Sequence, residues 1–184
     1  MKSFIVSELM VPLSEYATVS EDATLYEAVV ALEKAQDEFD ETRYRHRAIL
    51  VFDKKGKVVG KISQHDVLQG LEPKYGDMGE RIPVSRFGFS PKFLASMLEQ
   101  FKLFDKPLDD ICKKASEMKV KSFMTLPTEG EYIDQGASLD LAIHQLIMGH
   151  HQSLLVTGKN QIVGILRLTD VFKHICQRMK ECNL

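Results

Sequence analysis

AILVFDKKGKVVGKISQHDV, residues 48–67, aligns without a gap on QSLLVTGKNQIVGILRLTDV, residues 152–171. Gly60 falls on Gly164 and Asp66 on Asp170. Each stretch holds two short aliphatic runs, at 49–52 and 58–62 in one and at 154–156 and 162–166 in the other. A turn signal splits each pair, Lys55-Gly56 in the first and Gly158-Lys159-Asn160 in the second, so each reads as a β-hairpin. A closing helix is expected from about Asp66 or Asp170.

The repetition extends upstream. DATLYEAVVAL (22–32) matches GASLDLAIHQL (136–146), with Ala23, Leu25, Ala28 and Leu32 over Ala137, Leu139, Ala142 and Leu146. Leu25, Ala28, Val29 and Leu32 recur at helical spacing, and Thr24 or Ser138 stands as N-cap. Glu27 completes a capping box in copy one. Before the helix, VSELMVP (6–12) matches VKSFMTLP (120–127) as a short extended entry. The interval between copies is 114 residues here and 104 at the hairpin, which places ten extra residues of copy one between Leu32 and Arg47.

The expected class is therefore α/β (α+β): two β-α-β-β-α units over 1–71 and 118–184, joined by a partly helical segment over 72–117. A unit of about 60 residues buries too little surface to stand well alone. Two such units can pack sheet to sheet about a local two-fold, which leaves two equivalent clefts suited to small ligands. The middle segment opens with Pro73, Gly76, Gly79, Pro83 and Gly88 and then turns helical. Ser90-Pro91 makes an N-cap and N1 pair. Phe93, Leu94, Met97, Leu98 and Phe101 form one apolar stripe, and Leu108, Ile111, Ala115 and Met118 another. Both stripes are expected to pack on their own module.

The bulk properties exclude several classes. The chain has 184 residues, 44% hydrophobic and 27% charged, an ordinary globular balance. A formal charge of −2 supplies no general pull toward nucleic acid or anionic lipid. No apolar run approaches the roughly 18 residues of a membrane span, and MKSFIVSELM lacks a secretory core. Cys112, Cys176 and Cys182 show no paired spacing, which suits reduced thiols and a cytoplasmic location.

With both copies laid out, the chain resembles a CBS-domain pair, or Bateman module. The resemblance rests on LMVP (9–12), DATLYEAVVAL, AILVFD and GKISQHDV (60–67), repeated as FMTLP (123–127), GASLDLAI, SLLV and GILRLTDVF (164–172). It covers roughly 3–71 and 118–181. It implies the tandem fold, often a homodimer, and an adenine ligand in the clefts: AMP, ADP or ATP, with S-adenosylmethionine less favoured. It implies that Asp66 and Asp170 hold ribose hydroxyls and that Ser63 faces phosphate. Arg167 stands where a serine or threonine is usual. Its guanidinium has two readings, a bidentate phosphate fork or a plug in its own pocket. The resemblance also puts Arg47 and His151 at the basic position before the first long strand, and Val19 and Ile133 in the adenine-contacting segments.

Plainer readings exist for the same residues. Ser63-x-x-Asp66 is a helix-capping pattern, and Asp170 suits a first helical turn through the dipole. The cluster Arg43, Arg45, His46 and Arg47 abuts the acidic stretch 37–41 and reads equally as a solvated face. His150-His151 and His174 with Cys176 lack the spacing of a structural metal site, so no metal is expected. Met10 and Met124 read as core. The chain lacks GxxxxGK, HExxH and GxSxG, and Cys112 has no evident histidine partner, so an enzyme is not expected. The expected function is nucleotide-responsive regulation of a partner protein encoded elsewhere. The alternative is a scaffold with the same fold and no ligand.

Overall fold

The structure is a computed structural model that describes residues 4–37, 48–72, 74–75, 88–104 and 110–181. Copy one contributes β1 (Val11–Pro12), β2 (Thr18–Ser20), α1 (Leu25–Asp37), β3 (Ala48–Phe52), β4 (Val58–Ser63) and α2 (Gln64–Gly70). The segment between copies forms α3 (Pro91–Gln100) and α4 (Ile111–Glu117). Copy two contributes β5 (Tyr132–Asp134), α5 (Leu139–Gly149), β6 (Ser153–Gly158), β7 (Gln161–Arg167) and α6 (Leu168–Glu181).

One sheet runs β2-β3-β4 and the other β1-β7-β6-β5. The strand β1 therefore belongs to copy one in sequence and to copy two in space. It pairs antiparallel with β7, Val11 opposite Ile165 and Pro12 opposite Gly164. Copy two returns the exchange through Thr125, which bridges Lys61 of β4.

The entry segments cross between copies in the same reciprocal way. Val6 N–H donates to Ala137 O at 3.0 Å and Leu139 N–H to Phe4 O at 2.9 Å. Val120 N–H donates to Ala23 O and Leu25 N–H to Met118 O, both at 2.8 Å. Val6 fills the core of copy two among Ile133, Ala142, Leu154 and Leu166. Val120 fills the core of copy one among Ala28, Ile49, Val51 and Ile62. Both valines are fully buried. Between the sheets, Leu50 and Leu155 meet with Val11, Tyr16, Val58 and Ile165 in a third cluster.

The two hairpins are not gapless copies. Ala48 pairs with Ser63, and Ser153 with Arg167, so β3 superposes on β6 one residue later than the sequence alignment has it. Gly60 and Gly164 remain equivalent, opposite Val51 and Val156. The slip sits in the turn. Copy two turns through Lys159 and Asn160 alone, at φ 51 and φ 63, the two-residue turn whose twist matches its strands. Copy one is a residue longer and uses Gly56 at φ 74. The closing helices begin at Gln64 and Leu168, two residues before the aspartates, because Ser63 serves as N-cap of α2.

The inter-repeat helices behave unequally. Ser90 caps α3, accepting from Phe93 N–H at 3.2 Å. The helix α4 packs on α1. The stripe of α3 does not pack as expected: among the described residues Phe93, Leu94 and Leu98 stay exposed. Glu72 anchors the end of α3 instead, its carboxylate accepting from Phe104 N–H at 2.7 Å.

The crossing explains two glycines. A Cβ at Gly164 would lie 2.5 Å from Val11 O, a backbone atom held in the β1–β7 pair. A Cβ at Gly60 would lie 2.7 Å from Met124 Sδ, the end of a flexible side chain. Urea denaturation should therefore rank Gly164→Ala as the more damaging, by more than about 1 kcal/mol over Gly60→Ala. Equal losses would show that β1 is not rigidly held on β7.

Candidate functional site

Ser63 ends β4 in extended conformation and starts α2. Its Oγ accepts from Asp66 N–H at 3.2 Å. Asp66 Oδ2 accepts in return from Ser63 N–H and from Ser63 Oγ, both at 2.7 Å. Capping is thus part of what these residues do. The other oxygen has a different partner: Asp66 Oδ1 accepts from the Thr125 hydroxyl at 2.7 Å, across the boundary between copies. Asp66 is buried. A carboxylate offers about four lone-pair positions, so the described contacts leave one open on Oδ1.

The second end is built differently. Arg167 ends β7, and its Nε and Nη2 donate to Asp170 Oδ2 and Oδ1 at 2.5 and 2.6 Å. The guanidinium is 6% exposed and the Asp170 side chain 16%. Both oxygens of the aspartate equivalent to Asp66 are therefore held by the residue equivalent to Ser63. The fork of Arg167 is turned onto its own copy's carboxylate.

Tyr16 is buried beside this pair. Burial pushes its phenol up to about 12, with Arg167 opposing the shift and Asp170 reinforcing it. Lys61 of β4 reaches into copy two and forms an ion pair with the buried Glu131, just before β5. Thr125, Lys61, Glu131 and Tyr16 carry no motif of their own. The one signal was substitution against the repeat: Thr125 replaces Val11, Glu131 replaces Ala17, and Lys61 replaces the position of Ile165.

The remaining expected residues are scattered. Val19 packs against the core of copy one. Ile133 is 4% exposed and lies in the core of copy two, so only its backbone is free for a ligand. His151 N–H donates to Leu146 O at 3.0 Å. Its ring folds over Gly149, where a Cβ would meet it at 2.0 Å. It also lies near Gly130, beside the Glu131 end. Arg47, with Arg43, Arg45 and His46, lies outside the described residues. The described residues hold no cluster of three or more metal-ligating side chains.

Two measurements follow from the Arg167–Asp170 end. Removing Arg167 leaves a half-buried carboxylate unpaired, so Arg167→Ala should cost about 1–3 kcal/mol in urea denaturation. A loss below 1 kcal/mol would mean the pair is open to water. The raised pKa of Tyr16 means that the folded chain keeps its proton more tightly than the unfolded chain. That stability is complete below pH 10 and is lost as pH rises toward about 12. Alkaline difference spectra should show a late tyrosine step in the native protein that unfolding abolishes and Tyr16→Phe removes. Native tyrosines that all titrate near pH 10 would refute it.

Comparison with known proteins agrees with this architecture. Residues 6–72 match the family model of the CBS domain. No curated protein matches the sequence. Among solved structures, the CBS-pair protein CBSX2 from Arabidopsis thaliana is 16% identical, with a TM-score of 0.61 over 97% of this chain and 99% of that one. CBSX2 in complex with AMP is likewise 16% identical, with a TM-score of 0.59 over 96% and 98%. A CBS domain-containing protein of unknown function from Bacillus anthracis is 19% identical, with a TM-score of 0.61 over 95% and 94%. These identities speak to the fold. Residues 6–72 are thus a CBS domain, and the chain as a whole has the tandem fold of CBS-pair structures.

Proposed function

We propose that the chain is a regulatory module that binds one adenine nucleotide, at the Ser63–Asp66 end, and passes that event to a partner protein. The observation that carries the reading is the inter-copy bond from Thr125 to Asp66. Ribose hydroxyls are the natural competitors for that carboxylate. Binding would use the open lone pair and displace the Thr125 hydroxyl, exchanging a contact between copies for a contact to ligand. A ligand shifts a conformational equilibrium only through such a difference in interaction between states. That CBSX2 was crystallised with AMP supports the adenine class.

The Arg167–Asp170 pair argues for one site rather than two. A nucleotide there would have to open a bidentate ion pair with a buried guanidinium before reaching Asp170. The reading needs no catalysis, and partner control falls to the surface of the pair. No helix among the described residues is long and apolar enough to cross a membrane. Free thiols at Cys112 and Cys176 suit a cytoplasmic setting. Exposed Ile147, Met148, Phe172 and Met179 on α5 and α6 favour a homodimer through copy two.

Titration calorimetry with AMP, ADP, ATP and S-adenosylmethionine tests the proposal. One site per chain is expected for at least one of them. Asp66→Ala should abolish it, and Asp170→Ala should leave it. Arg167→Ser, which restores the residue type of copy one, should add a second site. At a ligand concentration about 100 times the dissociation constant, stability should rise by about 2.7 kcal/mol. Silence from all four ligands at millimolar concentration favours the scaffold reading. Equal binding by wild type and Asp66→Ala removes the assignment of the site. Light scattering that finds only monomer removes the homodimer.

A further inference from the structure

The hairpin turns of both copies enclose a cavity of about 780 Å3 that neither aspartate reaches. By strand rise it lies about 17–20 Å from Ser63 and Arg167, at the opposite ends of β4 and β7. Phe52 and Tyr132 wall it, Lys55 and Lys57 come from the turn of copy one, and Asn160 and Gln161 come from the turn of copy two. No carboxylate lines it.

Two lysines of this mouth, Lys55 and Lys57, share one acidic neighbour on the turn, Asp53, whose carboxyl is held low chiefly by the backbone bond from Lys57 N–H and also by both ammonium charges. Lys54, on the same turn, is paired with Asp22 at 3.2 Å. Asp22 also takes Lys121 at 3.2 Å. Lys55 and Lys57 have no carboxylate within ion-pair distance among the described residues. The turn that carries them is held by Asp53, whose Oδ1 accepts from Lys55 N–H at 2.8 Å and from Lys57 N–H at 2.9 Å. The backbone that carries the two lysines is therefore held in a fixed loop, and both residues line the cavity together with Phe52 and Tyr132. Across from them, Asn160 and Gln161 add amide donors and acceptors. The volume is that of a small-ligand site.

We infer that this cavity between the two hairpin turns is a second ligand site, which takes an aromatic phosphate monoester. The ring lies between Phe52 and Tyr132. The dianionic phosphate takes the two lysines, for which a single-charged or neutral head leaves one cation unmatched. Because the cavity draws on both turns, occupancy joins the copies at the end remote from Asp66. The site does not depend on nucleotide binding at Asp66.

The test titrates the 15N-labelled full chain with 1-naphthyl phosphate, which has no ribose to offer Asp66. Amide shifts are expected at Gly56, Lys57, Asn160 and Gln161. Inorganic phosphate and 1-naphthol should each bind at least about tenfold more weakly. The double variant Lys55→Ala/Lys57→Ala should lose about tenfold or more in affinity. Both lysines are exposed, so the spectrum elsewhere should keep its native dispersion. Asp66→Ala should bind the probe like wild type. The inference is overturned if these amides do not shift at millimolar probe, if the double variant binds equally well, or if 1-naphthol matches its phosphate. It is also overturned if the shifts cluster at 63–66 and disappear in Asp66→Ala.

Discussion

Val6 and Val120 cross between the copies, and the rest of the structure depends on that crossing. Each valine is fully buried in the other copy's core. Each brings backbone hydrogen bonds to the segment before the other copy's first helix. The entry strand then completes or bridges the other copy's sheet. Neither unit closes its own core. That answers the surface problem of a 60-residue unit, since the apolar area missing from one copy is supplied by its neighbour. It also fixes the relative position of Ser63 and Thr125, or of Arg167 and Tyr16, to within a hydrogen bond or a side-chain contact.

A symmetric frame with asymmetric contents is the result. Equivalent backbone positions carry Ser63 with Asp66 at one end and Arg167 with Asp170 at the other. In the first, the carboxylate is held by a cap and by a hydroxyl from across the interface, both neutral and exchangeable. In the second, a guanidinium holds both oxygens. Charge-assisted bidentate contacts are stronger and more directional than hydroxyl bonds. One carboxylate is thus held by neutral hydrogen bonds and the other by a charge-assisted fork.

The fold was largely legible because its signals are local and doubled. The helix N-caps Thr24 and Ser138, Leu25 with Leu139, and the glycines at 60 and 164 each appear twice at matching places. The one-residue slip at the turns was hidden, since 48–67 and 152–171 align well without it; only strand pairing separates a five-residue loop from the two-residue turn Lys159-Asn160. The site was legible only in part. Ser63, Asp66 and Asp170 stand out because they belong to a repeated motif. Thr125, Glu131 and Tyr16 reach the same ends through tertiary contact, and Ile133, expected at a ligand, faces the core instead. A sequence shows which residues alternate along a strand, but not which copy's side chain arrives opposite a given carboxylate. The exposed stripe of α3 was also misread, because helical periodicity marks an apolar face without naming what covers it.

The crossing has a consequence for the segment between the copies. Since the halves are fastened by their own entry strands, residues 72–117 carry no burden as a tether. The entropy of closing a connection grows only logarithmically with its length, by about 0.6 kcal/mol per doubling. Such a connection can lengthen, acquire helices such as α3 and α4, and diversify in sequence while the paired sheets keep their registration. The stretch that departs most from the repeat is the stretch the architecture leaves freest to evolve.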